Sequence, residues 1–229
     1  MIFLQITTNP AVQTAVQKSS EQLSLSLWDL TLKGGWIMIP IGLLSIITIY
    51  VFIERFIAIR AAGKEDNNFM NNIKEYILEG KIDNALTMCK SQNSPVARMI
   101  EKGVRRMGRP LNDVNVAIEN VGKLEVARLE KGFAFIATAA GAAPMLGFLG
   151  TVTGMVRAFY NMASAGNNID ITLLSSGIYE AMVTTVAGLV VGIIAYLAYN
   201  YLVTRLDRIV YILEARTTEF MDLLNEPVK

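Results

Sequence analysis

No histidine occurs anywhere in the 229 residues. Ser-His and Cys-His nucleophilic pairs, His-ligated metals and imidazole proton relays are excluded together. A single cysteine, Cys89, rules out an intrachain disulfide and a thiolate metal site. It lies in a polar helical pattern and reads as a small packed residue. Charge is scarce as well: 18% of residues are charged against 52% hydrophobic, and 21 basic and 20 acidic side chains leave a net charge of +1. Such a chain is too apolar for an ordinary soluble domain and too neutral for nucleic-acid binding. Neither a metal nor another cofactor is expected, and the chain does not read as an enzyme.

In place of charge there are long uncharged runs: 20 residues over 34–53, 25 over 132–156 and 24 over 181–204. A helix of about 20 mostly apolar residues crosses the hydrocarbon core. The expected fold class is therefore an all-α integral membrane protein with three transmembrane helices and long cytoplasmic helical extensions. The start, MIFLQITTNP, is a poor signal peptide, with no basic n-region and a short apolar run. Lys and Arg number 13 over 57–131 and four over 205–229, against two over 1–33 and one over 157–179. Basic segments stay on the cytoplasmic side, which predicts an outer N-terminus and an inner C-terminus. The expected divisions are an outer segment 1–33, span one at 34–56, a cytoplasmic helical region 57–131, span two at 132–159, a short outer loop 160–177, span three at 178–203 and a cytoplasmic C-terminal helix 204–229.

Residues 65–106 read as short amphipathic helices broken at Gly80–Lys81 and Ser94–Pro95. Beyond them Leu111, Val114, Ile118, Val121 and Leu124 keep a three-four spacing that runs without a breaker into span two. One helix over 111–156 is expected, about 70 Å long at 1.5 Å per residue. The tail likewise continues from span three, with Leu202, Leu206, Ile209, Leu213 and Phe220 in register and Arg216 the exception. Both stripes need a partner surface, from each other and from copies of the chain. Near span one, Trp28 and Trp36 read as interfacial anchors, and LSLSLWDLTL (23–32) as an interfacial helix. Glu54 and Arg55 read as interfacial charges at the inner end of that span.

Spans two and three share a design. Ala140, Pro144, Gly147, Thr151, Gly154 and Ala158 fall on one face of the first; Ala181, Thr185, Gly188, Gly192 and Ala195 fall on one face of the second. Small residues at such spacing let helix backbones approach closely in lipid, and ordinary helix packing accounts for the glycines. The hydroxyls ask for more. Thr151 lies six residues inside Arg157 and Thr185 five inside Glu180, at nearly the same depth, which suggests a polar ring if several copies surround one axis. Thr153 and Thr184 fall off these faces and read as bonded to their own helices. Glu180 has two readings of equal standing, a carboxylate facing a cavity or one paired with Arg157 at headgroup level. No Asp, Glu, Lys or Arg lies deep in any span, so a proton pathway needs its titrating carboxylate from another chain. Without one, the chain is a helical scaffold. An intramembrane enzyme finds no nucleophile–base pair here, and a transporter would show internal repeats and broken helices.

Two blocks in order, APMLGFLGTVTGMVRAF (143–159) and GIYEAMVTTVAGLVVGIIAYLAYN (177–200), together with GGWIMIPIGLLSIITIYVFIERF as span one, resemble the three-span ExbB/TolQ type of the MotA/TolQ/ExbB proton channel family. The resemblance covers nearly all of the chain. It implies a pentamer in the bacterial inner membrane, with a periplasmic N-terminus, whose second and third spans line a pore. Within that pore it places an ExbD/TolR-like single-span subunit, in two copies, whose Asp carries the proton. The family's pore threonines fall on Thr151 and Thr185, its third-span glutamate on Glu180 and its second-span proline on Pro144. Thr153 departs from members with a bulky aromatic there. The implied role is energising TonB-dependent outer-membrane transport, with a TonB-like protein as a further partner. Its alternatives are a TolQ-type envelope-maintenance motor and a passive membrane scaffold.

Overall fold

The computed structural model describes residues 34–64, 68–164 and 171–225, so Trp28 and the expected helix over 23–32 lie outside the described residues. Among the described residues all regular structure is helical: α1 (Met38–Ala62), α2 (Phe69–Leu78), α3 (Ile82–Ser91), α4 (Pro95–Val104), α5 (Leu111–Glu130), α6 (Phe133–Ser164) and α7 (Ile171–Asn225). Three stretches are long and apolar enough to cross a membrane: Met38–Ala62, Leu111–Ser164 and Leu174–Asn225. Two compact units form. One joins the described residues up to Leu44 with Ala142–Val191, the other joins Ser45–Gly141 with the chain from Gly192 onward. Each of α1, α6 and α7 contributes to both.

In the second unit the short helices start and stop where local chemistry dictates. Gly80, at φ +72°, closes α2, and the N–H of Lys81 returns to the Tyr76 carbonyl at 2.8 Å. Ser94 caps α4 by accepting the Ala97 N–H at 3.2 Å, with Pro95 as the first helical residue. Cys89 is buried, and burial pushes its thiol up to about 12, with Glu101 adding to the rise. It is a neutral, inert packing residue at physiological pH.

The α7 stripe forms a core. Leu202, Leu206, Ile209, Leu213 and Phe220 are all buried, and Phe220 with Ile118 crowds Gly103 of α4 so closely that a Cβ there would lie 2.6 Å from the Phe220 ring. Burying such a side chain contributes about 1.5–3 kcal/mol. On α5 the expected stripe is only partly used. Val114 and Ile118 are buried, but Leu111 and Leu124 are exposed, and Gly122, Glu125 and Leu129 complete the buried face instead. Glu125 is a buried carboxylate held by Arg98 at 2.6 Å and Arg128 at 2.7 Å. Two guanidinium partners supply the hydrogen bonds that keep a buried charge tolerable.

The expected unbroken helix over 111–156 is not what forms. The chain turns at Lys131–Gly132, and Gly132 sits at φ +90° before α6 begins. A Cβ on Gly132 would stand 2.9 Å from Val51 Cγ1 of α1, so both backbone and space require glycine. The apolar periodicity passes through this break, which is why spacing alone misses it. Close by, Arg55 pairs with Glu54 and donates at 3.2 Å to the Arg128 carbonyl in the last turn of α5. It caps a helix end rather than standing as a plain interfacial charge. Gly132→Ala is expected to cost about 1–2 kcal/mol for the left-handed backbone, before the Val51 contact is counted. A lowered melting temperature of the detergent-solubilised protein checks this; an unchanged one would mean that the turn relaxes freely.

Candidate functional site

The first unit is built around the seam between α6 and α7. Ala143 meets Gly188, Gly147 meets Thr184, Thr185 and Gly188, Gly154 meets Ala181 and Gly177, and Ala158 meets Gly177. Residue numbers rise on one helix as they fall on the other, so the two are antiparallel. Contact is backbone to backbone: a Cβ on Gly188 would lie 2.5 Å from the Ala143 carbonyl oxygen and 2.9 Å from Gly147 Cα. Bulk points the other way. Met145 and Phe148 on α6 are 74% and 67% exposed, and Met182, Val186, Leu189, Val190 and Ile193 on α7 are exposed too. Small inside and large outside is the packing that lipid permits and water does not.

Of the expected site residues, Gly147, Gly154 and Gly188 lie in this seam. Pro144 lies inside α6 beside it, half-buried, with no N–H to give to the helix. Gly192 is buried, in the part of α7 that belongs to the second unit. Thr185 is half-buried, and its hydroxyl donates across the seam to the Gly147 carbonyl at 3.0 Å. Thr151 is half-buried at the seam's edge, with its hydroxyl given to its own helix, at Phe148 O, at 2.6 Å. The expected match in depth does not hold: Thr185 stands opposite Gly147, four residues from Thr151, so the two hydroxyls are offset by roughly one helical turn, because the close seam sets the stagger of the helices and the flanking charges do not.

Thr184 differs from the sequence-based expectation. It does not fall off the packing face: it is 1% exposed, seated against Gly150. Its hydroxyl bonds to Ala181 O at 2.8 Å and approaches Gly147 O at 3.5 Å. Face assignment at an ideal 100° per residue places 184 and 185 apart, but a seam this close takes in both. Thr153 bonds to its own helix, at Leu149 O, at 2.9 Å.

At one end of the seam Arg157 Nη1 lies 3.4 Å from Glu180 Oε1, with the carboxylate about a quarter exposed and the guanidinium about half. Gly35, just ahead of α1, completes this mouth. It sits at φ +67°, and a Cβ there would collide with the Glu180 carboxylate. Gly35, Gly150 and Gly177 are seam and mouth residues that sequence reasoning passes over. The only signal for Gly35 is the Gly34–Gly35 pair before an apolar run. Glu180→Ala is expected to weaken function more than Glu54→Ala, because Glu54 pairs with its neighbour Arg55 and Glu180 closes the seam. Proton flux in reconstituted vesicles checks the order; the reverse order would move the mouth to the other end.

A family model described as the MotA/TolQ/ExbB proton channel family matches residues 91–215, just over half of the chain and every seam residue named above. An ExbB-like biopolymer transport protein of Synechocystis sp. is 29% identical over 180 residues, which is 78% of this chain and 71% of that protein. An ExbB homologue of Methanothermobacter thermautotrophicus is 29% identical over 176 residues, 76% of this chain but only 62% of that relative's length. The Tol-Pal system protein TolQ of Pseudomonas aeruginosa is 25% identical over 219 residues, 89% of this chain and 94% of that one.

Proposed function

The chain belongs to the MotA/TolQ/ExbB proton channel family, and from that premise we propose that it is the multi-span subunit of an inner-membrane motor that couples proton motive force to work on the cell envelope. Its N-terminus is then periplasmic and its C-terminus cytoplasmic. The observation that carries this reading is the state of the two hydroxyls. Thr185 and Thr151 each give their proton to a backbone carbonyl, Gly147 O at 3.0 Å and Phe148 O at 2.6 Å. Each oxygen keeps lone pairs and remains an acceptor. A protonated carboxyl on a partner helix can donate to that oxygen. A carboxylate, which only accepts, finds no free hydroxyl proton there. The seam thus favours the neutral partner, and each proton gained or lost changes which contact is preferred.

Between the Arg157–Glu180 mouth and Arg205 neither α6 nor α7 contributes an acid or a base of its own from Asp, Glu, Lys or Arg. The titrating group therefore comes from a single-span subunit of the ExbD/TolR kind, whose Asp takes a proton from the outer side and releases it inside. At about 2.3 kcal/mol per charge per 100 mV, one proton is enough to bias a two-state contact. Five copies of this chain around two partner helices is the proposed assembly. The proposed work is TonB-dependent outer-membrane transport, through a TonB-like protein. TolQ-type envelope maintenance uses the same seam, and the TolQ relative aligns over more of the chain.

One observation favours a different reading. The Thr185–Gly147 bond joins two helices of the same chain, as glue in a passive scaffold would. Native mass spectrometry of the complex, extracted gently from its host membrane, separates the two. Five copies with two of a small single-span protein are expected. A closed homo-oligomer lacking that protein, under conditions that keep a control complex intact, would support the scaffold.

A further inference from the structure

Within the second unit, the end of α1 and the middle of α7 line an open cavity of 490 Å³. Its inner wall is apolar, with Ile59, Leu202 and Ile209 all buried. Its rim carries three exposed arginines, Arg60, Arg205 and Arg208, and no Asp or Glu lines it. Asp207, exposed on α7, lies outside the lining. Arg205 is held in place: its guanidinium lies 5.2 Å from the Tyr201 ring centroid, and its Nε donates to the Tyr201 hydroxyl at 3.1 Å. Arg60 and Arg208 have no carboxylate partner among the described residues. Three cations with no acid among them repel one another, and an anion placed between them relieves that repulsion.

The depth of the cavity identifies the anion. Arg205 is the first charge after the uncharged run 181–204. Arg208 lies about 4.5 Å further along the helix and Arg60 about 9 Å beyond Glu54, the first charge on α1. The headgroup layer is about 5–8 Å thick on each side of the hydrocarbon. Arg205 and Arg208 therefore lie within that layer and Arg60 at its outer edge, and Leu202, one turn ahead of Arg205, faces where acyl chains begin. We infer that this cavity is a binding site for an anionic phospholipid, its phosphate held by Arg60, Arg205 and Arg208 and the start of its acyl chains resting on Leu202, one turn to the membrane side of Arg205. The inference requires only that the chain spans a bilayer, and stands apart from any reading of proton flow. Guanidinium groups suit this role because they are always charged and match phosphate oxygens in pairs.

The test is native mass spectrometry of the full-length complex titrated with phosphatidylglycerol, with phosphatidylcholine and with inorganic phosphate. The Arg60→Gln/Arg208→Gln variant is run beside the wild type. These two side chains are exposed, so the variant is expected to keep its melting temperature and oligomer mass. At about fivefold per arginine near a membrane surface, the double variant loses roughly 25-fold in phosphatidylglycerol affinity. Wild type prefers phosphatidylglycerol over phosphatidylcholine, and inorganic phosphate does not displace it. Arg109→Gln, exposed and away from the cavity, leaves lipid retention unchanged. Equal retention of the two lipids overturns the inference. So does displacement by phosphate alone, which would mark a headgroup-free anion site. A fall in oligomer mass without lipid loss also overturns it, because a second copy of the chain would then occupy the groove.

Discussion

Thr185→Val is expected to lower partner-dependent proton flux by about two- to tenfold while the chain still folds and assembles. Valine keeps the shape of threonine and removes only the hydroxyl. The lost interhelical bond to Gly147 O, 3.0 Å long, is a small structural cost, since such bonds in membranes average about 0.6 kcal/mol. The acceptor that a protonated partner carboxyl would use is also gone, and a hydrogen bond between neutral groups contributes about 0.5–1.5 kcal/mol, a factor of about two to ten. Thr185→Ser restores the acceptor and should recover most of the flux. Thr151→Val is expected to act in the same direction. Normal flux in both valine variants, with intact assembly, would remove the pore role and leave both residues as packing. A flux loss in Thr185→Val together with dissociation of the complex would instead assign it to glue.

Gly188→Val attacks the seam itself and is expected to prevent folding rather than to impair conduction. Its Cβ would meet the Ala143 carbonyl oxygen at 2.5 Å and Gly147 Cα at 2.9 Å, and neither is a side chain that can swing away. The only relief is to part the helices. That breaks the contacts of Gly147, Gly150 and Gly154 and the Thr185 bond together, so the usual overpacking cost of about 1–3 kcal/mol is a lower bound. Helix propensity pulls the opposite way by less than about 1 kcal/mol and does not compensate. The expected result is loss of the detergent-stable complex on size-exclusion chromatography, with Gly188→Ala intermediate. A Gly188→Val complex of normal size and melting temperature would mean that the seam opens in the assembly.

The helical class, the three long apolar helices and the family itself were legible because each rests on a pattern many residues long. Uncharged runs of 20 or more residues signal helices that can cross a membrane, and the blocks at 143–159 and 177–200 carry the family. Glycine and proline punctuation likewise placed the α2–α4 boundaries, since Gly80 and Ser94–Pro95 act through their own backbones. What escaped depends on tertiary contact. Gly132 breaks α5 from α6 within an intact apolar period, and its reason is the proximity of Val51. Thr184 is buried because the helices touch at Gly150, which no single-helix projection contains. Leu111 and Leu124 keep the stripe's spacing yet stay exposed, while Glu125 is buried because Arg98 and Arg128 reach it.

The titrating carboxylate of the proposed pathway belongs to another chain. Proton uptake into vesicles carrying this protein tests this most directly, measured with an internal pH dye under an imposed potential. Three preparations are compared: the chain alone, the chain with the proposed ExbD/TolR-like single-span protein, and the chain with a version of that protein whose membrane Asp is replaced by Asn. Flux is expected only in the second. Equal flux with the chain alone would contradict this, and would require a proton-carrying group among this protein's own residues.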